Sequence, residues 1–137
     1  MKKEKQSVVI LVWNNKNELA LQLRSAHDTS YPLHWDFSAA GGIEDGEDHL
    51  QAAIRELKEE IGIESELIFV REIVYEDEKV RDILFLYKTH YEGSFKPDAS
   101  EVEKVEFFSL DKIESMLKTE KKFHPEFSFL WKQGLIR

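Results

Sequence analysis

Between Gly41 and Ile63 acidic residues recur at fixed spacing. The stretch reads Gly41-Gly42-Ile43-Glu44-Asp45-Gly46-Glu47, then seven residues, then Arg55-Glu56-Leu57-Lys58-Glu59-Glu60-Ile61-Gly62-Ile63. Its second half predicts a helix over Asp48–Ile61, with Leu50, Ile54, Leu57 and Ile61 as the core stripe. Gly62 follows directly and suits a C-terminal cap. At about 100° per residue, Glu56, Glu59 and Glu60 share one arc of the helix, well around from that stripe. Ala52 and Ala53 lie one turn earlier on the carboxylate side, where small side chains would leave room for a ligand.

This crowding works against the fold. Like charges four residues apart cost about 0.2–0.5 kcal/mol per pair, and three glutamates near a negative helix end add to that. Mg2+, or Mn2+ in its place, would remove the cost, because hard cations take carboxylate oxygens and keep several waters. Such waters provide or orient a nucleophile while the cation neutralises charge developing on a phosphate. The competing explanation is a solvated Glu-rich face with Arg55 paired to a neighbour and glycines that merely make turns. The joint occurrence of every spaced position argues against it.

The rest of the chain is read around this helix. Val8–Val12 is a buried strand rich in β-branched residues, Asn14–Asn17 a turn, and Glu18–Leu23 the second arm of a hairpin. Arg24–His34 is a loop. Trp35–Ser38 is a brief strand leading into a turn at Ala39–Gly42. Leu67–Tyr75 and Val80–Tyr91 are strands on either side of the acidic turn Glu76–Glu78. Residues 93–100 form a loop, Val105–Phe108 the last strand, Leu110–Lys118 a helix, and a final helix starts near Pro125. These elements do not alternate as regular βαβ units. The expected class is α/β (α+β), a mixed β-sheet flanked by helices on both faces, in a single domain spanning 1–137.

Composition narrows the function. No cysteine is present, which excludes disulfides, thiol nucleophiles and Cys-type zinc sites and fits a reducing, cytoplasmic setting. A net charge of -8 gives no footprint for duplex nucleic acid, although bound cations would still let an acidic protein act on an anionic substrate. No apolar run approaches the roughly 18 residues of a membrane span. The basic start Met1–Gln6 is followed by a short strand-like segment with no small-residue cleavage site, so a signal peptide is not expected.

Residues 41–63 resemble the Nudix box, G-x5-E-x7-R-E-U-x-E-E-x-G-U with U a bulky aliphatic. Gly41, Glu47, Arg55, Glu56, Leu57, Glu59, Glu60, Gly62 and Ile63 meet every defined position. The element order also resembles the family's α/β/α sandwich. The resemblance implies hydrolysis of a small-molecule diphosphate, such as a nucleoside diphosphate linked to another group. It implies Glu56, Glu59 and Glu60 as metal ligands, one of them the general base, and Arg55 orienting a glutamate. Glu47 would bind metal or support the loop, and the Ala40 carbonyl would add a ligand. An acid outside the box often assists, and Glu101, Glu103 and Glu106 are the candidates, with Glu103 carried as the substrate-binding choice.

The segment Leu23-Arg24-Ser25, Tyr31-Pro32 and Trp35–Ser38 is similar to isopentenyl-diphosphate isomerase and its hydrolase relatives. That isomerase has a cysteine where Ala40 stands and a metal-binding histidine where Gly42 stands. The expected activity is therefore hydrolysis rather than isomerisation. A nucleotide-binding module without turnover is the alternative from another class, and retention of all box glutamates weighs against it.

Beyond the box, Arg24 is a candidate for a substrate phosphate and Trp35 for stacking on a base, with surface and core roles as their respective alternatives. His27, His34, His49, His90 and His124 show no metal-ligand spacing. The aromatic run Phe123–Trp131 is expected to pack a C-terminal helix on the sheet, with a homodimer contact or a substrate lid as the other readings.

Overall fold

The computed structural model describes residues 2–119 and 122–137. Met1, at the head of the basic N-terminal run, and Glu120 and Lys121 lie outside the described residues. The elements run β1 (Lys3–Trp13), β2 (Leu19–Arg24), β3 (Trp35–Asp36), β4 (Ala39–Gly42), α1 (His49–Ile61), β5 (Ile68–Glu76) and β6 (Val80–His90). They continue with β7 (Val102–Phe108), α2 (Leu110–Lys118) and α3 (Pro125–Lys132). One mixed sheet has the order β3-β2-β1-β6-β5, with β4 also paired to β1 and β7 to β2. β1 and β6 are parallel, and the other pairings are antiparallel.

The apolar run at the centre of β1 follows from burial on both faces. Val8, Ile10 and Val12 pack with Ala53, Leu57 and Ile61 of α1. Val9 and Leu11 point the other way, to Ile113 of α2 and Phe127 and Leu130 of α3. Period-two alternation on one strand thus builds two cores, and the layers are the expected α/β/α sandwich.

Most boundaries lie within two residues of the sequence reading, and three differ more. β1 begins at Lys3, because polar Lys3–Gln6 pair with Val80–Ile83 while staying exposed, which hydropathy does not register. Ala39–Gly42 is a strand rather than a turn, paired with Ser7–Ile10. β7 starts at Val102, opposite Arg24.

The largest correction concerns α1. Leu50 and Ile54, expected in its core stripe, are 44% and 50% exposed, whereas Ala52 and Ala53 are 0% exposed. The alanines leave no ligand space. Their small side chains let the helix lie close on the sheet, so the face carrying Glu56 turns inward and Leu50 and Ile54 turn out.

Candidate active site

Local sequence fixes both ends of α1. Asp48 caps its N-terminus and forms a reciprocal capping box with Gln51. Gly62 ends it with φ 71°, its N–H donating to the Lys58 carbonyl. A side chain at 62 would also strike the Lys96 backbone. That loop satisfies the helix end: Lys96 N donates to Ile61 O and Asp98 N to Glu60 O, each at 2.9 Å.

Held this way, α1 presents its glutamates to the edge of β4. Glu60 Oε1 accepts from Ala40 N at 2.8 Å and from Gln22 Nε2 at 3.0 Å. Glu56 is 8% exposed, and its carboxylate lies over the Cα of Gly41, where any Cβ would collide with it. Burial raises the pKa of Glu56 despite the Arg55 bond, and burial raises that of Glu60 well above the ordinary range, with Glu56 adding repulsion.

Arg55 organises the other carboxylates. Its Nε and Nη2 make a two-pronged contact with Glu47, both at 2.8 Å, and Nη2 also donates to Gly42 O at 3.0 Å. Nη1 reaches Glu56 at 2.6 Å and Glu59 at 3.2 Å. The Arg55 bond, followed by the Glu44 N–H, holds the Glu47 carboxyl down at about 2. Both Glu47 oxygens are therefore engaged, and they tie the loop before α1 to the helix.

A cavity of about 370 Å3 opens at Ala40, Gly41, Glu60 and Glu101 and runs back to Arg24 and Asp36. Glu101 lines the same cavity as Glu60, and burial, then Asp98 and Glu59, raise its pKa. The donor set, hard oxygens of Glu56, Glu59, Glu60 and the Ala40 backbone, suits a hard divalent cation. The raised pKa values come from burial and mutual repulsion, and an adjacent cation reverses both. Among the described residues no three acidic or imidazole side chains converge on one point. Arg55 stands between Glu56 and Glu59, and Glu60 turns toward Ala40 and Gln22. Closing a ligand set requires side-chain rotation there.

The other expected site residues separate. Arg24 lines the cavity, with its guanidinium bonded to Asp28, Asp36 and the Ser30 carbonyl. Burial opposes its charge, and Asp36 and Asp28 outweigh that, leaving its pKa raised. Trp35 is 7% exposed, T-shaped against Phe108 and with the Lys104 ammonium over its ring, so it belongs to the core. Glu103 lies outside the cavity and accepts from Ala26 N. The register shift at Leu23/Arg24 breaks the alternation that would have placed 101 and 103 on one side.

Sequence reasoning passed over Gln22, Lys5 and Glu126, which also line the cavity. Gln22 did leave a signal, since it is a polar residue within the apolar alternation of β2 and is 4% exposed.

Comparison with known proteins agrees with this geometry. The model of the NUDIX domain matches residues 3–130. An uncharacterised Nudix hydrolase, lin0387 of Listeria innocua, is 34% identical over 122 residues, covering 88% of this chain and 72% of that protein. The crystal structure of DR0079 from Deinococcus radiodurans superposes with a TM-score of 0.84 at 14% identity, covering 94% of this chain and 82% of its own. A MutT protein from Methanosarcina mazei gives 0.81 at 23% identity, covering 96% and 93%. At these identities the two structures speak to the fold.

Proposed function

The chain belongs to the NUDIX family, and on that premise we propose that it is a Mg2+-dependent hydrolase of a diphosphate linkage in a nucleoside diphosphate derivative or a related small molecule. One observation supports this reading: α1 sets Glu60 on Ala40 at the cavity and Glu56 over Gly41, with Glu59 bonded to Arg55 beside them.

Glu56, Glu59, Glu60 and the Ala40 carbonyl would hold the divalent cation, Mg2+ or Mn2+. When bound, that ion lowers the pKa of water and neutralises charge on the phosphate oxygens. The residues of the chain do the rest. Gln22 and Ala40 N fix the orientation of Glu60. Arg55 fixes that of Glu56 and buttresses the loop through Glu47. We assign removal of the proton from the attacking water to Glu59, which is 52% exposed at its side chain, with Glu101 as its neighbour. Oxygen–phosphorus bond formation by that water then breaks the bridging anhydride bond and releases two phosphate-bearing products.

The test is hydrolysis across a panel of diphosphate compounds with Mg2+, read by chromatography of the phosphate-bearing products, comparing the native chain with Glu59→Gln plus Glu60→Gln. Loss of turnover in the double variant is expected. Equal rates for both proteins would discard the enzyme reading in favour of ligand binding without turnover.

A further inference from the structure

The far end of the cavity is lined by Lys5, Ser7, His124 and Glu126, and the hydrolytic steps above use none of them. Glu126 is 7% exposed, and Asp82 behind it is 0% exposed. Asp82 Oδ2 accepts from Ser7 Oγ at 3.1 Å and lies 3.6 Å from Lys5 Nζ. Asp82 Oδ1 has no hydrogen-bond partner among the described residues, and the Glu126 carboxyl neighbours Asp82. A buried carboxyl beside another carboxylate is disfavoured as an anion. Burial first, then the Asp82 contact, accordingly raise the pKa of Glu126, with Asp36 adding repulsion and Lys5 opposing it.

The charges at this end then cancel. Lys5 offsets Asp82, and Arg24 is offset by Asp36 and Asp28. Burial lowers the pKa of His124, which disfavours a charge on its ring. Among the described residues no Phe, Tyr or Trp lines this cavity, and the one aromatic ring there, that of His124, is packed against Tyr31, so a flat base is poorly matched. An alkyl chain would leave buried polar atoms unpaired. A hydroxyl group both donates and accepts, and matches such a surface.

We propose that this end is a recognition subsite for a neutral hydroxylated group, a sugar or polyol borne by the diphosphate, with Glu126, held in place by Asp82, accepting a substrate hydroxyl. The assignment rests on the hydrolase reading only for where the diphosphate lies.

The experiment is titration calorimetry with Mg2+, using methylene-bridged analogues of ribose 5-diphosphate and of isopentenyl diphosphate, so that binding is read without turnover. The sugar analogue should bind the native protein at least about tenfold more tightly. Glu126→Leu should lose about tenfold for the sugar analogue, whereas Glu126→Gln, which keeps a donor toward Asp82 and a carbonyl acceptor, should stay within about threefold. Thermal melts check that both variants fold.

Preference for the isopentenyl analogue, or full sugar affinity in folded Glu126→Leu, would overturn the assignment. So would a Glu126→Gln protein as weak as Glu126→Leu, which would mean that a charged carboxylate is needed; if the leucine variant does not fold, the native preference and the glutamine variant decide. Hydrolysis of methyl diphosphate, which has no head group, reads the enzyme assignment separately. Its failure would remove the reaction and leave the binding comparison standing.

Discussion

Replacing Gly41 with alanine puts a methyl group where the Glu56 carboxylate lies. A Cβ there overlaps Cδ and both carboxylate oxygens. Gly41 has no positive φ, so alanine fits the backbone and the pairing with Val8 is kept. The effect must therefore pass through Glu56, whose carboxylate swings away and loses its 2.6 Å bond from Arg55. A bond to a charged group contributes about 1.5–3 kcal/mol. Arg55 keeps its contacts with Glu47 and is partly exposed to solvent, so the expected loss of stability is nearer about 1–2 kcal/mol. In a chain of this size that lowers Tm by about 3–8 °C.

Activity should fall much further, because displacing a positioned group by about 1 Å costs about a hundredfold in rate. Gly42→Ala is the matched comparison, since a Cβ there meets nothing within 4 Å. Thermal melts and steady-state hydrolysis on both variants give the answer. If Gly41→Ala retains activity within about fivefold, or loses no more than Gly42→Ala, then packing of Glu56 on β4 does not position it.

Three further outcomes follow from the same geometry. Glu60→Gln should lose at least about a hundredfold in kcat, yet melt at or above the native protein in chelator. The raised Glu60 pKa contributes stability present below its ordinary value near 4.5 and lost as pH rises toward the folded value, so the advantage of glutamine should be larger at pH 8 than at pH 5. Glu47, held at about 2, behaves oppositely: its contribution is complete above its ordinary 4.5 and disappears as pH falls toward 2. Urea melts between those values should show a steeper acid loss in the native chain than in Arg55→Leu. Saturating Mg2+ should raise native stability, by about 2.7 kcal/mol at a hundred times Kd. No such rise is expected in Glu59→Gln plus Glu60→Gln, and an equal rise there would place the cation elsewhere.

Much of the fold was readable because the relevant patterns are local. The continuous apolar run of β1 announced a strand covered on both faces, and Leu110–Lys118 and Pro125 marked the last two helices where they stand. The residues that escaped are those whose environment is set by distant segments. Leu50 and Ile54 fit helical periodicity as well as Leu57 and Ile61 do. Only the docking of Ala52 and Ala53 on the sheet decides which residues are buried. Lys3–Gln6 join β1 through backbone pairing with β6, to which side-chain polarity is blind.

The sequence by itself determined the chemistry on offer: which carboxylates, on which helix, with which arginine, ended by which glycine. Spacing along one helix is enough for that, because 3.6 residues per turn fixes which side chains are neighbours. The tertiary structure decided what those groups face. It brought Gln22 and Ala40 to Glu60, committed Glu47 to Arg55, and set Glu101 but not Glu103 on the cavity, beside a register shift between β2 and β7. It also set Glu126 against Asp82, 44 positions apart in sequence by subtraction of their numbers. Contacts of that range depend on packing and strand register, which no local pattern encodes.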